Sequence, residues 1–577
     1  MPHVPTRREN PLTETPVLIA GGGPVGLVLA LELGHQGIDC ILVERNPTTT
    51  QHPKMDVTNG RSMELFRRMG IADEIRKHAV PADHPMTVVW CSRPAEWELA
   101  RFEYPSIDWG RDIIRYCNDG GLPLEPDMRI SQVVLEPVLK GILEEREKHV
   151  QVRFGWGLER FEQDESGVDA VIRSTETGEE QTIRCQYLAG CDGAGSVTRQ
   201  GLGIELDELS VRDLMSETGG LWKTFVRIAK GMLRGHKPPD GRMYMIHFTT
   251  PDRAFMQRFG VHWHLQSPAH GTIISQNDDD TWTIHTPMTA GTDADAIDPR
   301  AHLFEMLGRE IECEIVVANA WRPRLCVAKQ YGRGRVWMAG DSTHQVIPTG
   351  GYGMNTGVGD AVGLGWALAA ILKGWGGEGL LAAYETERRH VGYRIRRAAA
   401  RHMSVRMEIS GAHTPVIHED SPKGEAARKK LGRRIEALGN LENEALGVEI
   451  GYRYDESAVI SHDDEQPPPY STESYAPTTW PGARLPSLFL EDGRAVLDLL
   501  TGTGFTLLRL ADLDTSAFET AAAERGVPLE VVDVRDAKAR TVYQRDLVLV
   551  RPDQHVAWRA DEPPTDALAV IDHVRGA

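Results

Sequence analysis

Three glycines and one acid near the start of the chain have the residue types and the spacing of a nucleotide-binding site. Gly21, Gly23 and Gly26 form a GxGxxG sequence, and Glu44 ends a later apolar run, DCILVER. Glycine lets the backbone approach a pyrophosphate closely, and a carboxylate accepts hydrogen bonds from ribose hydroxyls. We therefore predict a dinucleotide site at these glycines, with Glu44 and its neighbour Arg45 beside the ribose.

The surrounding pattern supplies the elements that such a site needs. PVLIAG, before the glycines, has the length and composition of one buried strand, and VGLVLALELG, behind them, has a helical pattern. Strand, glycine turn, helix, second strand and acid occur in the order of a dinucleotide-binding fingerprint. A plain glycine turn would leave the helix and the acid unexplained, so the fingerprint is the better interpretation.

Composition narrows the function classes. The chain has 577 residues and a net charge of −19 with no dominant basic block, which argues against nucleic acid or an anionic membrane surface as a partner. Its seven cysteines include no CxxC pair. We expect reduced thiols, no metal site and a cytoplasmic location. The N-terminus lacks an apolar signal region, and no later segment has the length of a membrane span, so we expect an unexported protein.

Changes in pattern along the chain suggest several structural units. A strand-rich region interrupts the α/β pattern, a proline run at 467–469 suggests a linker, and the tail reads as a compact α/β unit. The predicted division is a first part of the nucleotide-binding domain at 1–205, with substrate-layer strands near 80–112; a substrate domain at 206–326; the return of the first domain with a helical region at 327–455; a linker at 456–486; and a last domain at 487–577.

Three motifs together resemble a known family. GGGPVG at 21–26, CDGAGSVTR at 191–199 and GDSTHQVIPTGGYGMNTGVGDA at 340–361 occur in the order found in the single-component FAD-dependent aromatic hydroxylases. That group includes phenol hydroxylase, dichlorophenol hydroxylase and the polyketide hydroxylases, and the likeness covers essentially the whole chain. It implies an α/β fold: a Rossmann-like FAD-binding domain, an inserted β-sheet substrate domain and a C-terminal thioredoxin-like domain. The tail contains no cysteine, so we expect it to be structural rather than a thiol oxidoreductase.

The resemblance also assigns further cofactor-binding positions. It places Asp341 against ribityl or ribose hydroxyls, Gln132 near the ribose and pyrophosphate, and Asp192 in a DG motif associated with FAD and with the reductant. Each position has a competing interpretation: Asp341 could cap a turn, Gln132 could be an ordinary exposed residue, and Asp192 could belong to a plain strand-ending turn.

Two more parts of the predicted cofactor site involve the backbone and a basic residue. The helix that starts near Asn355 is expected to direct its N-terminus toward the flavin, with the backbone of Gly353 and Met354 beside the ring. Lys54 stands where many relatives have arginine, which keeps the charge and loses the bidentate fork.

The activity implied by the resemblance is hydroxylation of a phenolic or related aromatic substrate. FAD would be the cofactor, NADPH or NADH the reductant and O2 the oxidant, with oxygen transferred from a flavin C4a-hydroperoxide. No second GxGxxG follows a strand, so the reductant would bind transiently on the FAD domain. Alternatives are an epoxidase or Baeyer-Villiger-type oxygenase on a polycyclic substrate and, more remotely, a non-catalytic flavin-binding redox sensor. A homodimer is left open.

Asp56 is the predicted catalytic residue, because it matches the position of an active-site aspartate in phenol hydroxylase and a histidine in dichlorophenol hydroxylase. An unperturbed aspartate with a pKa near 3.9 is about six units short of a phenol near 10, or roughly 8 kcal/mol. Asp56 must therefore have a raised pKa, face an acidified substrate, or accept a strong hydrogen bond as oxygen transfers. The competing interpretation is a solvated loop aspartate or helix cap. We expect His247, His262 and His264, on candidate strands, to be satisfied structural histidines.

Overall fold

A computed structural model describes residues 13–209, 239–463 and 465–577. The strands are β1 (Thr13–Ala20), β2 (Cys40–Glu44), β3 (Val57–Thr58), β4 (Val88–Cys91), β5 (Glu98–Phe102), β6 (Met128–Arg129), β7 (Val150–Phe154), β8 (Trp156–Gln163), β9 (Val168–Ser174), β10 (Glu180–Gly190), β11 (Leu206–Glu208), β12 (Pro239–Thr249), β13 (His264–Ser267), β14 (Gly271–Ser275), β15 (Thr281–Thr289), β16 (Glu314–Trp321), β17 (Cys326–Ala328), β18 (Gly332–Arg333), β19 (Val336–Met338), β20 (His344–Gln345), β21 (Phe505–Arg509), β22 (Leu529–Asp533), β23 (Leu547–Val550) and β24 (Val556–Ala560).

The α-helices of the described residues alternate with these strands. They are α1 (Pro24–His35), α2 (Gly60–Arg68), α3 (Ala72–Arg76), α4 (Ile107–Cys117), α5 (Gln132–Arg146), α6 (Val197–Gly201), α7 (Arg253–Met256), α8 (Pro299–Leu307), α9 (Tyr352–Leu372), α10 (Gly379–Ala412), α11 (Pro422–Leu438), α12 (Leu446–Glu449), α13 (Ser516–Arg525), α14 (Ala537–Tyr543) and α15 (Ala567–Val574).

The first sheet is doubly wound around β1. Its main path runs β18-β19-β10-β1-β2-β7, and β19, β10, β1, β2 and β7 are mutually parallel, while β8 and β9 join through β10. Helix α1 is buried along most of its length and packs against α9 as well as this sheet. A helix buried on all sides is apolar all round, which explains the unbroken sequence VGLVLALELG. The expected Rossmann-like domain is confirmed.

A second sheet has seven strands in the order β16-β12-β15-β14-β13-β4-β5. The strands predicted near 80–112 join it through the parallel pair β4 and β13. Residues alternate between its two faces: Phe248, Trp282 and Ile284 enter an apolar core on one face. His264 and His285 lie on the other face, which meets the segment carrying Asp56.

The C-terminal region forms a four-stranded sheet, β22-β21-β23-β24, in which only the first pair is parallel, with α13, α14 and α15 in the same region. This is the expected thioredoxin-like unit. Arg484, which is fully buried, pairs with Glu64 of α2, and Arg551 pairs with Glu387 of α10 at 2.6 Å.

The segment predicted as a linker differs from a free spacer in its second half. Trp480, Ala483 and Leu485 are buried, because this stretch continues into the core of the C-terminal unit. The domain boundaries themselves stay predictions, and residues 1–12 and 210–238 of the predicted first and second domains lie outside the described residues.

Candidate active site

The predicted nucleotide-binding residues follow neighbouring parallel strands. The glycine loop follows β1, Glu44 ends β2, Asp192 follows β10, and Asp341 follows β19. The carboxyl ends of adjacent parallel strands meet at one edge of a sheet, which is where open α/β sheets bind their ligands. The topology therefore brings together four parts of the chain that are up to 320 positions apart (341 − 21 = 320).

The three glycines have different surroundings. Gly21 has a positive φ of 110°, and a Cβ there would lie 2.2 Å from the carbonyl oxygen of Cys191. A Cβ at Gly26 would lie 1.9 Å from the carbonyl oxygen of Gly21, whereas at Gly23 the nearest atom would be Glu136 Oε1, at 4.0 Å. Gly21 and Gly26 are thus required for the tight turn and for helix packing, while Gly23 leaves room for a phosphate.

Glu44 is held in place by the backbone around it. Its Oε2 accepts a hydrogen bond from Gly22 N at 2.7 Å, and its Oε1 accepts from Asn46 N at 2.8 Å. Arg45 is exposed, and its carbonyl accepts from Thr175 Oγ1. Among the described residues no hydrogen bond joins the Arg45 side chain to the rest of the predicted site.

The segment from Thr50 to Asn59 is fixed by hydrogen bonds with α5. Gln132 N donates to Met55 O at 3.0 Å, and Gln132 Nε2 donates to Glu136 Oε1 at 2.7 Å. Glu136 Oε2 accepts from Thr50 N at 2.7 Å. Burial raises the pKa of Glu136, while Gln132, Thr50 and the exposed Lys54 act to lower it. Sequence reasoning missed Glu136, although its place one helical turn after Gln132 was a usable signal.

The two aspartates at the sheet edge keep acceptor capacity. Asp192 Oδ2 accepts from Thr198 N at 2.9 Å, but its Oδ1 is buried without a hydrogen-bond partner. The Asp341 carboxyl is solvent-accessible, yet desolvation by the surrounding protein raises its pKa, while His344 and Lys54 act to lower it. A carboxylate with unused acceptors is suited to bind hydroxyl groups.

A buried aspartate inside the third motif fixes the turn that carries Asp341. Asp360 Oδ2 accepts from Gly340 N at 3.0 Å and lies 2.7 Å from His344 Nε2, and its Oδ1 accepts from Arg388 Nε at 2.8 Å. Asp360 lies within the third motif, but the sequence alone predicted no role for it.

The start of α9 leaves its backbone N–H groups uncapped, whereas the Asn355 side chain is engaged within the protein. No side chain caps this helix, so the N–H groups of its first turn, around Gly353 and Met354, have no capping acceptor. The Asn355 side chain is already engaged: Oδ1 accepts from Asn59 N at 2.9 Å, and Nδ2 donates to Val57 O at 3.1 Å and Gly351 O at 2.7 Å. Asn355 therefore clamps the segment that carries Asp56, and its carboxamide is not free for a cofactor.

Asp56 lies at the boundary between the two sheets. Its carboxyl is 15% exposed; Oδ2 accepts a hydrogen bond from Trp263 Nε1 and lies 3.6 Å from His264 Nε2. Burial would raise the pKa of Asp56, but His264, Trp263 and Arg129 together lower it below its ordinary value. The alternatives of a solvated loop aspartate and of a raised pKa are therefore both wrong.

The three predicted structural histidines differ from one another. His247 Nδ1 lies 2.9 Å from Thr283 Oγ1, and His262 Nδ1 lies 2.8 Å from Gly260 O. His264 is buried, and neither of its ring nitrogens has a hydrogen-bond partner among the described residues. The expectation of a satisfied histidine is wrong there. A fourth histidine, His285, was not predicted; burial lowers its pKa to about 4, against the opposing charge of Asp56.

These observations fit FAD as the bound dinucleotide. The open space at Gly23, the free Oδ1 of Asp192, the accessible Asp341 and the uncapped start of α9 supply contacts for a pyrophosphate, for hydroxyls and for an electron-rich ring. The described residues contain no group of three metal-binding side chains and no helix of the length and apolarity that a membrane span requires. All seven cysteines are free thiols.

Comparison with known proteins gives the same picture. Residues 14–399 match the FAD binding domain family, and residues 478–576 match the aromatic-ring hydroxylase C-terminal family. The FAD-dependent monooxygenase apdD of Emericella nidulans is 35% identical, over 97% of this chain and 89% of that one. The phenol 2-monooxygenase of a Pseudomonas species is 31% identical, over 99% and 94%. The rebeccamycin biosynthetic enzyme RebC with reduced flavin superposes with a TM-score of 0.84 at 32% identity, covering 98% of this chain and all of that one.

Proposed function

Because the chain belongs to the family of FAD-dependent aromatic-ring monooxygenases, we propose that it hydroxylates a phenolic substrate with NADPH or NADH as reductant and O2 as oxidant. The observation that carries this proposal is the position of Asp56. The segment held by Gln132 and Asn355 at the cofactor side carries the Asp56 carboxylate to the inner face of the second sheet.

Different residues of the chain would bind different parts of FAD. In the proposed arrangement the glycine loop, Glu44 and Lys54 hold the adenosine diphosphate half of FAD, with Arg45 at its edge. Asp341, Asp192 and Gln132 hold its hydroxyls and pyrophosphate, and the first turn of α9 faces the ring. FAD, when bound, supplies hydride acceptance and oxygen activation.

Substrate would lie between the Asp56 segment and the second sheet. The walls there include the apolar cluster of Val57, Met86, Val88 and Trp263, which can exclude water from an aromatic ring. Asp56 would accept a hydrogen bond from the ring hydroxyl and so increase the electron density of the ring. Its lowered pKa means that it stays ionised and can accept this hydrogen bond, but is a weak base on its own.

The test is flavin content followed by a substrate screen. We expect one non-covalent FAD per chain and a stimulation of NAD(P)H oxidation by phenol, resorcinol or 2-hydroxyanthraquinone, with one oxygen atom added to the product by mass spectrometry. A protein that carries no flavin and cannot be reconstituted would contradict the proposal.

The same assay separates the alternatives. Insertion of oxygen next to a carbonyl, or across a ring double bond, would indicate a Baeyer-Villiger-type or epoxidising reaction on a polycyclic substrate. Tight FAD with no substrate-stimulated NAD(P)H oxidation would indicate a redox sensor. Size-exclusion chromatography of the same preparation tests the homodimer.

A further inference from the structure

The structure pairs the predicted catalytic aspartate with a histidine from a different part of the chain. We propose that His264 is the proton-accepting partner of Asp56, so that the two residues together take the proton of an ionisable ring hydroxyl. The proposal rests on the proposed function and narrows its substrate class to phenols or enols, excluding aromatic rings without an acidic hydroxyl.

The contact that carries this inference spans more than 200 positions of sequence. Asp56 lies on the segment that follows β2, and His264 opens β13 of the second sheet; His264 Nε2 is 3.6 Å from Asp56 Oδ2. A shift of about half an ångström brings the two atoms to hydrogen-bond length. Trp263 donates to the same oxygen, and its ring packs on His264 with centroids 4.1 Å apart.

His264 is not explained by packing alone. Its side chain is 11% exposed, and neither ring nitrogen has a hydrogen-bond partner among the described residues. A buried polar group without a partner destabilises a fold, and neighbouring His247 avoids this cost through Thr283. The unused hydrogen-bonding capacity of His264 lies beside the carboxylate that faces the proposed substrate site.

Relative basicity explains why the pair would work better than Asp56 alone. A phenol near pKa 10 is about six units from an ordinary carboxyl but only about 3.5 units from an ordinary imidazole. Placing the proton on the imidazole is therefore roughly 300-fold more favourable than leaving it on the carboxylate.

The proton transfer balances without any other reactant. The substrate O–H bond breaks, its proton binds Asp56 Oδ2, and the same proton then passes from Oδ2 to His264 Nε2. Asp56 remains a carboxylate, the substrate becomes an oxyanion and His264 becomes an imidazolium. The same proton returns to the product oxygen by the reverse path, and no electrons are gained or lost.

The arginines near Asp56 and His264 are already in ion pairs. The ionisable side chains near Asp56 and His264 are those of His262, His285 and Glu442, with Arg129 and Arg406 behind them. Asp278 binds Arg129 through both oxygens at 2.7 Å, and Glu442 binds Arg406 at 2.7 Å. Both arginines therefore have carboxylate partners of their own, and the Asp56 carboxylate lies 3.6 Å from His264 Nε2.

The test uses the flavin-loaded protein and the phenol from the screen that stimulates NAD(P)H oxidation most. His264→Gln should leave the rate of flavin reduction unchanged and lower the rate of product formation about 100-fold, with hydrogen peroxide released instead. His264→Asn is the second variant, and His302→Gln is the matched control, since His302 is half-buried on the opposite face of the sheet beside Thr286.

Two readouts separate a proton-transfer role from a structural one. The pH at which the bound phenol ionises, followed by its absorbance, should be higher in His264→Gln than in the unchanged protein. Raising the pH should restore product formation in the variant, because solvent then ionises the phenol, whereas misplaced packing would not respond. Asp56→Asn combined with His264→Gln should be no slower than Asp56→Asn alone.

Several outcomes would overturn the proposal. Unchanged coupling in both His264 variants, additive effects in the double variant, or a loss of product formation that high pH does not relieve would each remove His264 from proton transfer. These are distinguishable from failure of the proposed function, in which the unchanged protein itself forms no hydroxylated product.

Discussion

The proposed cofactor side and the proposed substrate side of the site each present an aspartate, and the protein shifts the pKa values of the two in opposite directions. Asp341, at the edge of the first sheet, is accessible, and desolvation by the surrounding protein raises its pKa. Asp56, at the second sheet, is more enclosed, and His264, Trp263 and Arg129 lower its pKa despite burial.

The difference indicates what each carboxylate is suited to do. Asp341 has hydrogen-bonding capacity left over, which ligand hydroxyls could use. Asp56 already accepts a hydrogen bond from Trp263 on one oxygen, so its charge is stabilised before any substrate arrives. The proposed ligand-binding carboxylate, Asp341, and the proposed reacting carboxylate, Asp56, therefore differ in whether the protein already supplies a hydrogen-bond donor, a difference that neither sequence motif reveals.

The largest expected effect separates the two sides directly. Asp56→Asn should keep FAD and still reduce it, but form hydroxylated product about 1,000-fold more slowly while releasing hydrogen peroxide, because the amide cannot accept the proton. Product formed against NAD(P)H consumed is the measurement. Turnover and coupling near those of the unchanged protein would remove Asp56 from the mechanism.

The second prediction compares two glycines on the cofactor side. Gly26→Ala should lower the free energy of unfolding by about 3 kcal/mol, because its Cβ would meet the Gly21 carbonyl at 1.9 Å. Gly23→Ala should leave stability nearly unchanged and weaken FAD binding, since its Cβ would enter only the space expected for phosphate. Urea unfolding measures the free energy of unfolding, and flavin titration measures the affinity for FAD. Equal losses of stability would contradict this division of roles.

Much of the cofactor side could be predicted because its signals are local. The glycine spacing, the apolar strand and Glu44 lie within one short stretch, and Asp192 and Asp341 each end a recognisable apolar run. The parallel order of the strands then determines that they meet. Side-chain detail there could not be predicted: the Asn355 carboxamide bonds to Val57 and Asn59, a contact nearly 300 positions away in sequence.

The substrate side was harder because its contacts cross between sheets. The resemblance pointed to Asp56, but Trp263, which donates to it, and His264, which lies 3.6 Å away, stand at the start of β13, whose pairing with β4 no local pattern specifies. In the sequence, His264 looks the same as other histidines on predicted strands. Only its position beside Asp56 in the structure distinguishes it from His247. The packed half of the predicted linker was missed for the same reason, since its partners lie in the distant C-terminal unit.

The third prediction concerns Asp341. Replacing it with alanine should weaken FAD binding about 30-fold, or about 2 kcal/mol, the usual loss for a hydrogen bond to a charged group. Flavin retained after gel filtration and the dissociation constant from titration measure the effect. Asp341→Asn, which keeps one acceptor, is the matched control and should lose less. Full retention of flavin in the alanine variant would show that Asp341 only shapes the turn.

The smallest effect should be a difference in pH dependence between the two aspartates, seen in the flavin-free protein. A lowered folded pKa means that Asp56 stabilises the fold above its unfolded value near 3.9, and that this stabilisation is lost only as pH falls through the folded pKa. Asp56→Asn should therefore be less stable than the unchanged protein by the same amount from pH 8 to pH 5.

A raised folded pKa means the reverse for Asp341: its ionised form costs stability at neutral pH, and the cost shrinks as pH falls toward and through that raised pKa. Asp341→Asn should thus be more stable than the unchanged protein at pH 7, by less than about 1 kcal/mol because solvent screens an exposed carboxyl, and the gain should disappear in acid. Thermal unfolding midpoints across this pH range measure both stability differences. Parallel pH profiles for the two variants would contradict the expected difference between Asp56 and Asp341.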